Sequence, residues 1–143
     1  MIIRKEFSFS AAHRLANPLW TDEKNKDVYG KCFSIHGHTY HFRVSFEGTI
    51  AESGMVINFH LISELIKKQV IDRFDHQYLN DLPEFNTLPP TAEYIGLYIW
   101  GLVQETCEKL PCDLIEVLLH ETATSSVIIT SEIFEEYKGR LAL

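Results

Sequence analysis

The segment CFSIHGH, Cys32 to His38, places a thiol four residues before one imidazole and six before another. Neutral imidazole and thiolate are ligands of zinc, and both groups move protons near neutral pH. A further imidazole, His13, closes an alternating apolar stretch, and Asp75-His76 and Glu121 add carboxylates and a base elsewhere in the chain. Three imidazoles on one metal leave a tetrahedral position open, as catalytic zinc sites do, and an all-nitrogen set favours zinc over other divalent ions. Cys32 admits two readings from spacing alone. Near a metal or a charged imidazole the thiol ionises and becomes a base or nucleophile. As a fourth ligand it would instead close a structural Cys-His₃ site.

The elements that carry these residues decide whether they meet. Along residues 2–13, Ile3, Phe7, Phe9, Ala11 and His13 share one face, while Arg4, Glu6, Ser8 and Ser10 share the other. Lys5 interrupts the apolar side. Residues 36–47 repeat the pattern, with His36, His38, Tyr40, Phe42, Val44 and Phe46 on one face. Both segments have the period of a half-buried strand. Joined by one long loop, they are expected to pair antiparallel. That pairing brings His13, His36 and His38 to one end of the buried side. A single inward histidine is more usually a hydrogen-bonded core residue. Three unpaired ones packed against Phe7, Phe9 and Phe42 would cost several kcal/mol, which argues for a metal. His41 points to the opposite face, and His60 is expected on the surface.

Residues 59–74 carry Leu61, Ile62, Leu65, Ile66, Val70 and Phe74 at helical spacing, with Asn58 as the N-cap and the helix ending near Asp75-His76. Asp75 then either sets the tautomer of His76 for acid–base work or merely follows a helix C-terminus that favours a histidine. After a proline-rich link, Thr91 caps a second helix with Ile95, Tyr98, Ile99, Leu102 and Val103 facing inward. Residues 114–121 read as a strand with Ile115, Val117, Leu119 and Glu121 on one face, and 126–131 as a last strand. A carboxylate on an apolar face needs donors. The amidine edge of a pterin or guanine would supply two, although a strand ending at a wet edge would also explain Glu121. Asn17–Lys31 is polar and aperiodic and reads as a loop. The tail from Glu132 to Leu143 has no clear pattern. The order β-β-α-α-β-β predicts an α+β fold, a four-stranded antiparallel sheet with two helices on one face, in one domain spanning 1–143.

Composition narrows the class. Twenty acids against thirteen Lys and Arg give a net charge of −7, which excludes a basic nucleic-acid surface. No apolar run reaches the roughly 18 residues of a membrane helix, and no signal-peptide core is evident. Cys32, Cys107 and Cys112 are an odd set without disulfide or finger spacing, which predicts a reducing, cytoplasmic setting, the latter two being structural.

Taken in order, FSFSAAHRL, CFSIHGH, GMVINF, FDHQYLND, PTAEYI and HETAT resemble the 6-pyruvoyl-tetrahydropterin synthase family, which includes the 6-carboxy-tetrahydropterin synthases of queuosine biosynthesis. The resemblance implies a tunnelling fold whose subunits form trimers that stack into a homohexamer, with sites between subunits. It implies zinc held by His13, His36 and His38, and 7,8-dihydroneopterin triphosphate as substrate. It implies proton transfer by Cys32 with Asp75 and His76, and a pterin anchored by Glu121 with Thr91 as a lesser contact. The three-residue gap between Cys32 and His36 is similar to the carboxy-forming branch, and the long 17–31 segment to the pyruvoyl-forming one. Asn58 stands where many bacterial members have Asp, and the tail departs from their short basic end. The expected activity is the carboxy-forming lyase, the alternatives being the pyruvoyl-forming enzyme and a non-catalytic pterin- or purine-binding zinc protein. An acidic chain taking a triphosphate needs a local basic cluster, for which Arg14, Lys24, Lys26 and Lys31 are the candidates.

Overall fold

The structure is a computed structural model and describes residues 1–141. Four strands, β1 (Ile2–His13), β2 (His36–Gly48), β3 (Cys112–Thr122) and β4 (Ser125–Ile129), form one sheet in the order β1-β2-β3-β4. Every neighbouring pair is antiparallel. The β1–β2 ladder runs unbroken from Ile2 opposite Glu47 to His13 opposite His36, with Ala11 opposite His38. Alternation therefore survives over the full length of both strands. Phe9, Ala11 and His13 are buried on one side together with Tyr40, Phe42, Val44 and Phe46. Stacked pairs Phe7–Phe42 and Phe9–Tyr40, with centroids 5.3 and 4.9 Å apart, lock the register.

The helices that cover this side are α2 (Phe59–Ile66) and α4 (Ala92–Cys107). Asn58 caps α2 by accepting from the His60 N–H at 2.8 Å. The helix then runs through a π-helical stretch, Lys67–Ile71, into a last α-turn, α3 (Asp72–Phe74). Ile62, Ile66, Val70 and Phe74 are fully buried, whereas Leu61 is 40% exposed, lying to the side of the buried stripe. Thr91 caps α4 through the Tyr94 N–H at 3.5 Å. Gly96 lets α4 approach β4 closely: a Cβ there would sit 3.2 Å from both Val127 and Ile129. No helix among the described residues is long and apolar enough to cross a membrane.

Three expectations need correction. Asn17–Lys31 is not a loop throughout, for Asp22–Tyr29 forms a helix, α1. Thr21 caps it by accepting from Lys24 N–H, and Asp22 and Glu23 lie in its first turn. It was invisible as periodicity because its one buried side chain is the polar Asn25. The last strand stops at Ile129 rather than 131, since Thr130 precedes a helix, α5 (Ser131–Tyr137). Phe134 of α5 packs against Trp100 of α4 at 6.1 Å, which gives the formerly patternless tail an apolar anchor. Ala142 and Leu143 of that tail lie outside the described residues. Finally, Ile115 does not share the face of Val117. The ladder pairs Ser45 with Glu116 but Phe46 with Leu114, so Ile115 is the extra residue of a bulge and Leu114 takes its place against the core.

Candidate active site

The unbroken β1–β2 ladder delivers His13, His36 and His38 to one end of the sheet. Their ring centroids lie 4.6 to 5.1 Å apart. One ligand atom from each falls within 4.8 Å of the others. The outer nitrogens of His13 and His36 are already committed. His13 Nδ1–H donates to the Pro90 carbonyl at 2.8 Å, and His36 Nδ1–H donates to the Ser34 carbonyl at 2.7 Å. A carbonyl only accepts, so both neutral rings carry their proton on Nδ1 and present a bare Nε2. Those two Nε2 atoms are 3.1 Å apart. Two lone pairs facing each other at that distance repel unless a cation lies between them. For comparison, two nitrogens about 2.05 Å from one tetrahedral zinc would stand roughly 3.3 Å apart. His38 Nε2 is buried without a hydrogen-bond partner. The residues present therefore fit a metal ion: three imidazole nitrogens, two tautomers fixed by outer carbonyls, one orphaned donor atom.

Electrostatics agree with this reading. His13 is fully buried. Burial pushes its pKa down to about 4, the Pro90 carbonyl opposes that, and His36 and His38 push further down. The ring is thus neutral, and ready to ligate, across the physiological range. His38 is also lowered, chiefly by burial, against the opposing charge of Glu121. Sequence reasoning passed over Tyr40 as a site residue, although it lies two positions beyond His38 on the same face. Its hydroxyl is 3.3 Å from His13 Nδ1, and burial beside Glu121 raises its pKa. The Pro90 carbonyl left no sequence signal, since it arrives from a loop far along the chain.

Glu121 reaches the same centre by a bulge. The β3–β4 ladder pairs His120 with Ser126 and Thr122 with Ser125, leaving Glu121 unpaired. Its Oε1 lies 3.6 Å from His13 Nε2 and 3.8 Å from His38 Nε2, and its side chain is one-quarter exposed. Thr91 caps the helix that follows Pro90, and so sits one residue from the carbonyl that orients His13.

The Asp75-His76 pair is held differently. The segment after α3 runs along the free edge of β1 and takes over its hydrogen bonds. Asp75 Oδ1 accepts from Ser10 N–H at 2.8 Å, and His76 N–H donates to the Ser10 carbonyl at 2.6 Å. Ala12 N–H donates to the Gln77 carbonyl at 2.9 Å. Asp75 Oδ2 is 2.8 Å from His76 Nδ1. The Ser10 amide first, and then the His76 ring, hold the Asp75 carboxyl below its usual pKa. His76 adopts φ 59°, a left-handed conformation that non-glycine residues enter at a cost, histidine less than most. Its imidazole is 83% exposed. With His38, Gly37 and Thr39 it lines an open trough of about 610 Å³. Cys32 lies on a 3₁₀ turn, Gly30–Phe33, whose backbone is tied to β1's end by Leu15 N–H donating to the Cys32 carbonyl at 2.7 Å. Its thiol is exposed. Cys107, by contrast, is buried, and burial pushes its thiol up to about 11.

A sheet ending in three clustered imidazoles, two of them presenting bare nitrogens, with a carboxylate beside them, has the arrangement of a metal-binding enzyme site. The sequence pattern of the 6-pyruvoyl tetrahydropterin synthase family matches residues 2–132. The 6-pyruvoyl tetrahydrobiopterin synthase of Dictyostelium discoideum is 35% identical over 134 residues, 92% of this chain and 97% of that protein. The 6-carboxy-5,6,7,8-tetrahydropterin synthase of Synechocystis is 35% identical over 109 residues, 73% of this chain and 75% of that protein. The structure of Caenorhabditis elegans 6-pyruvoyl tetrahydropterin synthase superposes with a TM-score of 0.85 at 28% identity, covering 92% of this chain and 95% of that one. The chain belongs to the 6-pyruvoyl tetrahydropterin synthase family, whose enzymes are lyases.

Proposed function

We propose that this chain is a zinc-dependent lyase that eliminates triphosphate from 7,8-dihydroneopterin triphosphate, acting in the cytoplasm as a homohexamer with sites between subunits. The observation that carries the reading is the cluster of three imidazoles, two of them with bare Nε2 atoms, with Glu121 beside it. His13, His36 and His38 would hold the zinc, which when bound supplies Lewis acidity toward the hydroxyls of the substrate side chain. Cys32 removes a carbon-bound proton from that side chain, so its exposed position on a tethered turn is what a base on a bound ligand requires. His76 carries protons between side chain and ring, and Asp75 fixes its Nδ1 proton and orientation. Glu121 accepts the two N–H groups of the pterin edge, with Thr91 as a lesser contact. The triphosphate leaves as the C–O bond to its ester oxygen breaks.

The product is assigned as 6-carboxy-5,6,7,8-tetrahydropterin, on the short Cys32–His36 spacing that resembles the carboxy-forming branch. By carbon count, a three-carbon side chain that ends as a carboxyl must also release a two-carbon fragment. The pyruvoyl-forming reaction, which also expels triphosphate but keeps all three side-chain carbons through internal tautomerisation, is supported by the fuller coverage of the relatives named for it. Zinc-loaded protein incubated with 7,8-dihydroneopterin triphosphate, followed by the mass of the pterin product, separates the two. Unchanged substrate would overturn the lyase reading and leave a binding protein.

A further inference from the structure

Two cations lie on one aromatic ring beside the site, one of them carried by the helix that forms within Asn17–Lys31. Arg14 follows the ligand His13 directly, and its guanidinium lies 5.0 Å from the centroid of Phe33. Lys26 of α1 comes to the same ring at 5.6 Å. Phe33 is the neighbour of Cys32. The Arg14 backbone is pinned on both sides, its N–H donating to Asn80 Oδ1 at 2.9 Å and its carbonyl accepting from Asn80 Nδ2 at 3.0 Å. Lys26 is placed just as firmly, because α1 is fastened by the buried amide of Asn25. That amide accepts from Asn17 N–H at 2.8 Å and donates to the Asn17 carbonyl at 3.1 Å.

The ion pairs among the described residues use Arg43, Arg73, Lys138 and histidines, and none involves Arg14 or Lys26. In a chain of net charge −7, two cations placed on one ring and making no ion pair are a specific arrangement. A guanidinium lying over a ring face keeps its in-plane N–H groups free, and these match phosphate oxygens. Lys24, by contrast, lies 4.0 Å over Trp20, which stacks on Tyr29. Its charge serves the packing of α1.

We propose that Arg14 and Lys26, arrayed on Phe33, form the subsite that receives the phosphate chain of the substrate, with Lys24 outside it. The inference rests on the reading that the substrate is a pterin triphosphate. It places the leaving group on the side of the site where Cys32 stands. There the two cations stabilise the negative charge that grows on the departing triphosphate.

The test compares neopterin triphosphate with neopterin, each titrated by fluorescence into zinc-loaded protein at fixed ionic strength. The protein is used unaltered, as Lys24→Gln, and as the Arg14→Gln/Lys26→Gln double variant. Thermal melting checks that each is folded, and the single Lys26→Gln, on an exposed helical position, serves if the double variant is not. The expected result is that the double variant binds neopterin triphosphate about a hundredfold more weakly, from two lost charge-assisted contacts, while neopterin is unaffected. Lys24→Gln should bind both as the unaltered protein does. A preference for the triphosphate that persists in the double variant overturns the subsite while leaving the lyase reading intact. If neither pterin binds, the pterin reading fails. The subsite is then judged with inorganic tripolyphosphate: weaker binding by the double variant supports it, and equal binding overturns it.

Discussion

His13 and His76 are both fixed by β1, yet they stand at opposite extremes of exposure, 0% and 83% of the side chain. His13 belongs to the strand itself. Its ring is packed under Tyr40, oriented by the Pro90 carbonyl and held neutral by burial. His76 is not part of the sheet but of the segment that covers its edge. Its backbone is held in a left-handed conformation by Ser10 while its ring projects into an open trough. Cys32 resembles His76 in this respect, with a tethered backbone and an exposed thiol. The three-imidazole cluster is thus assembled by the two strands of one chain, whereas the proposed proton-moving groups are presented outward on secured turns. A ligand atom must not move; a base must meet something that arrives.

The most forceful way to break that contrast is to remove a ligand. His13→Ala should abolish stoichiometric zinc and lower turnover by about 10⁴-fold or more, since it removes both the Lewis acid and the packed ring. Metal content by mass spectrometry beside a rate assay checks this. Retention of full zinc with residual activity would mean that the centre is organised by other groups.

Asp75→Asn sharpens the other half. An amide at Oδ1 can still accept from Ser10, but it does not hold the His76 Nδ1 proton as a carboxylate does. Turnover should fall about a hundredfold with zinc content unchanged. A loss of zinc in this variant would show that the two regions are not separable.

A smaller effect is expected from pH in the metal-free protein. His13 has its folded pKa depressed to about 4 from 6.5, so above 6.5 its contribution to stability is fully present. As pH falls from 6.5 toward 4, the unfolded chain takes up a proton that the folded chain refuses. Stability then drops by about 3 kcal/mol from this group, and below 4 the loss levels off. Denaturant titrations at several pH values, with His13→Gln as the reference, isolate the difference. Zinc should not remove this dependence but extend it below 4 for as long as it stays bound, because a ligated His13 still refuses the proton that the unfolded chain takes up.

Much of this was legible in residue order. Two strands of strict period two, with histidines at the end of one and the start of the other, leave little freedom in where the rings meet. Where alternation broke, sequence reading lost its grip. The bulge at Ile115 moved Leu114 inward, and the bulge at Glu121 aimed a carboxylate that simple alternation had placed only on a face. Neither bulge leaves a mark in residue type. Helix α1 was missed for a related reason, because a helix held by one buried asparagine and a ring stack carries no apolar stripe. The cap Thr21 and the acids after it were the available signal. The Asp75-His76 turn was located, but the strand edge that grips it was not, since backbone pairing to a free edge depends on no particular side chain.

The measurement that bears most directly on the division between a three-histidine metal site and outward-facing chemistry, as proposed, is made on Cys32→Ala. Zinc per chain and turnover of 7,8-dihydroneopterin triphosphate are determined on the same preparation. One zinc per chain, bound as tightly as in the unaltered protein, with turnover reduced about 10³-fold, is the predicted result. Loss of zinc together with activity would contradict it, and would make Cys32 the fourth ligand of a closed Cys-His₃ site.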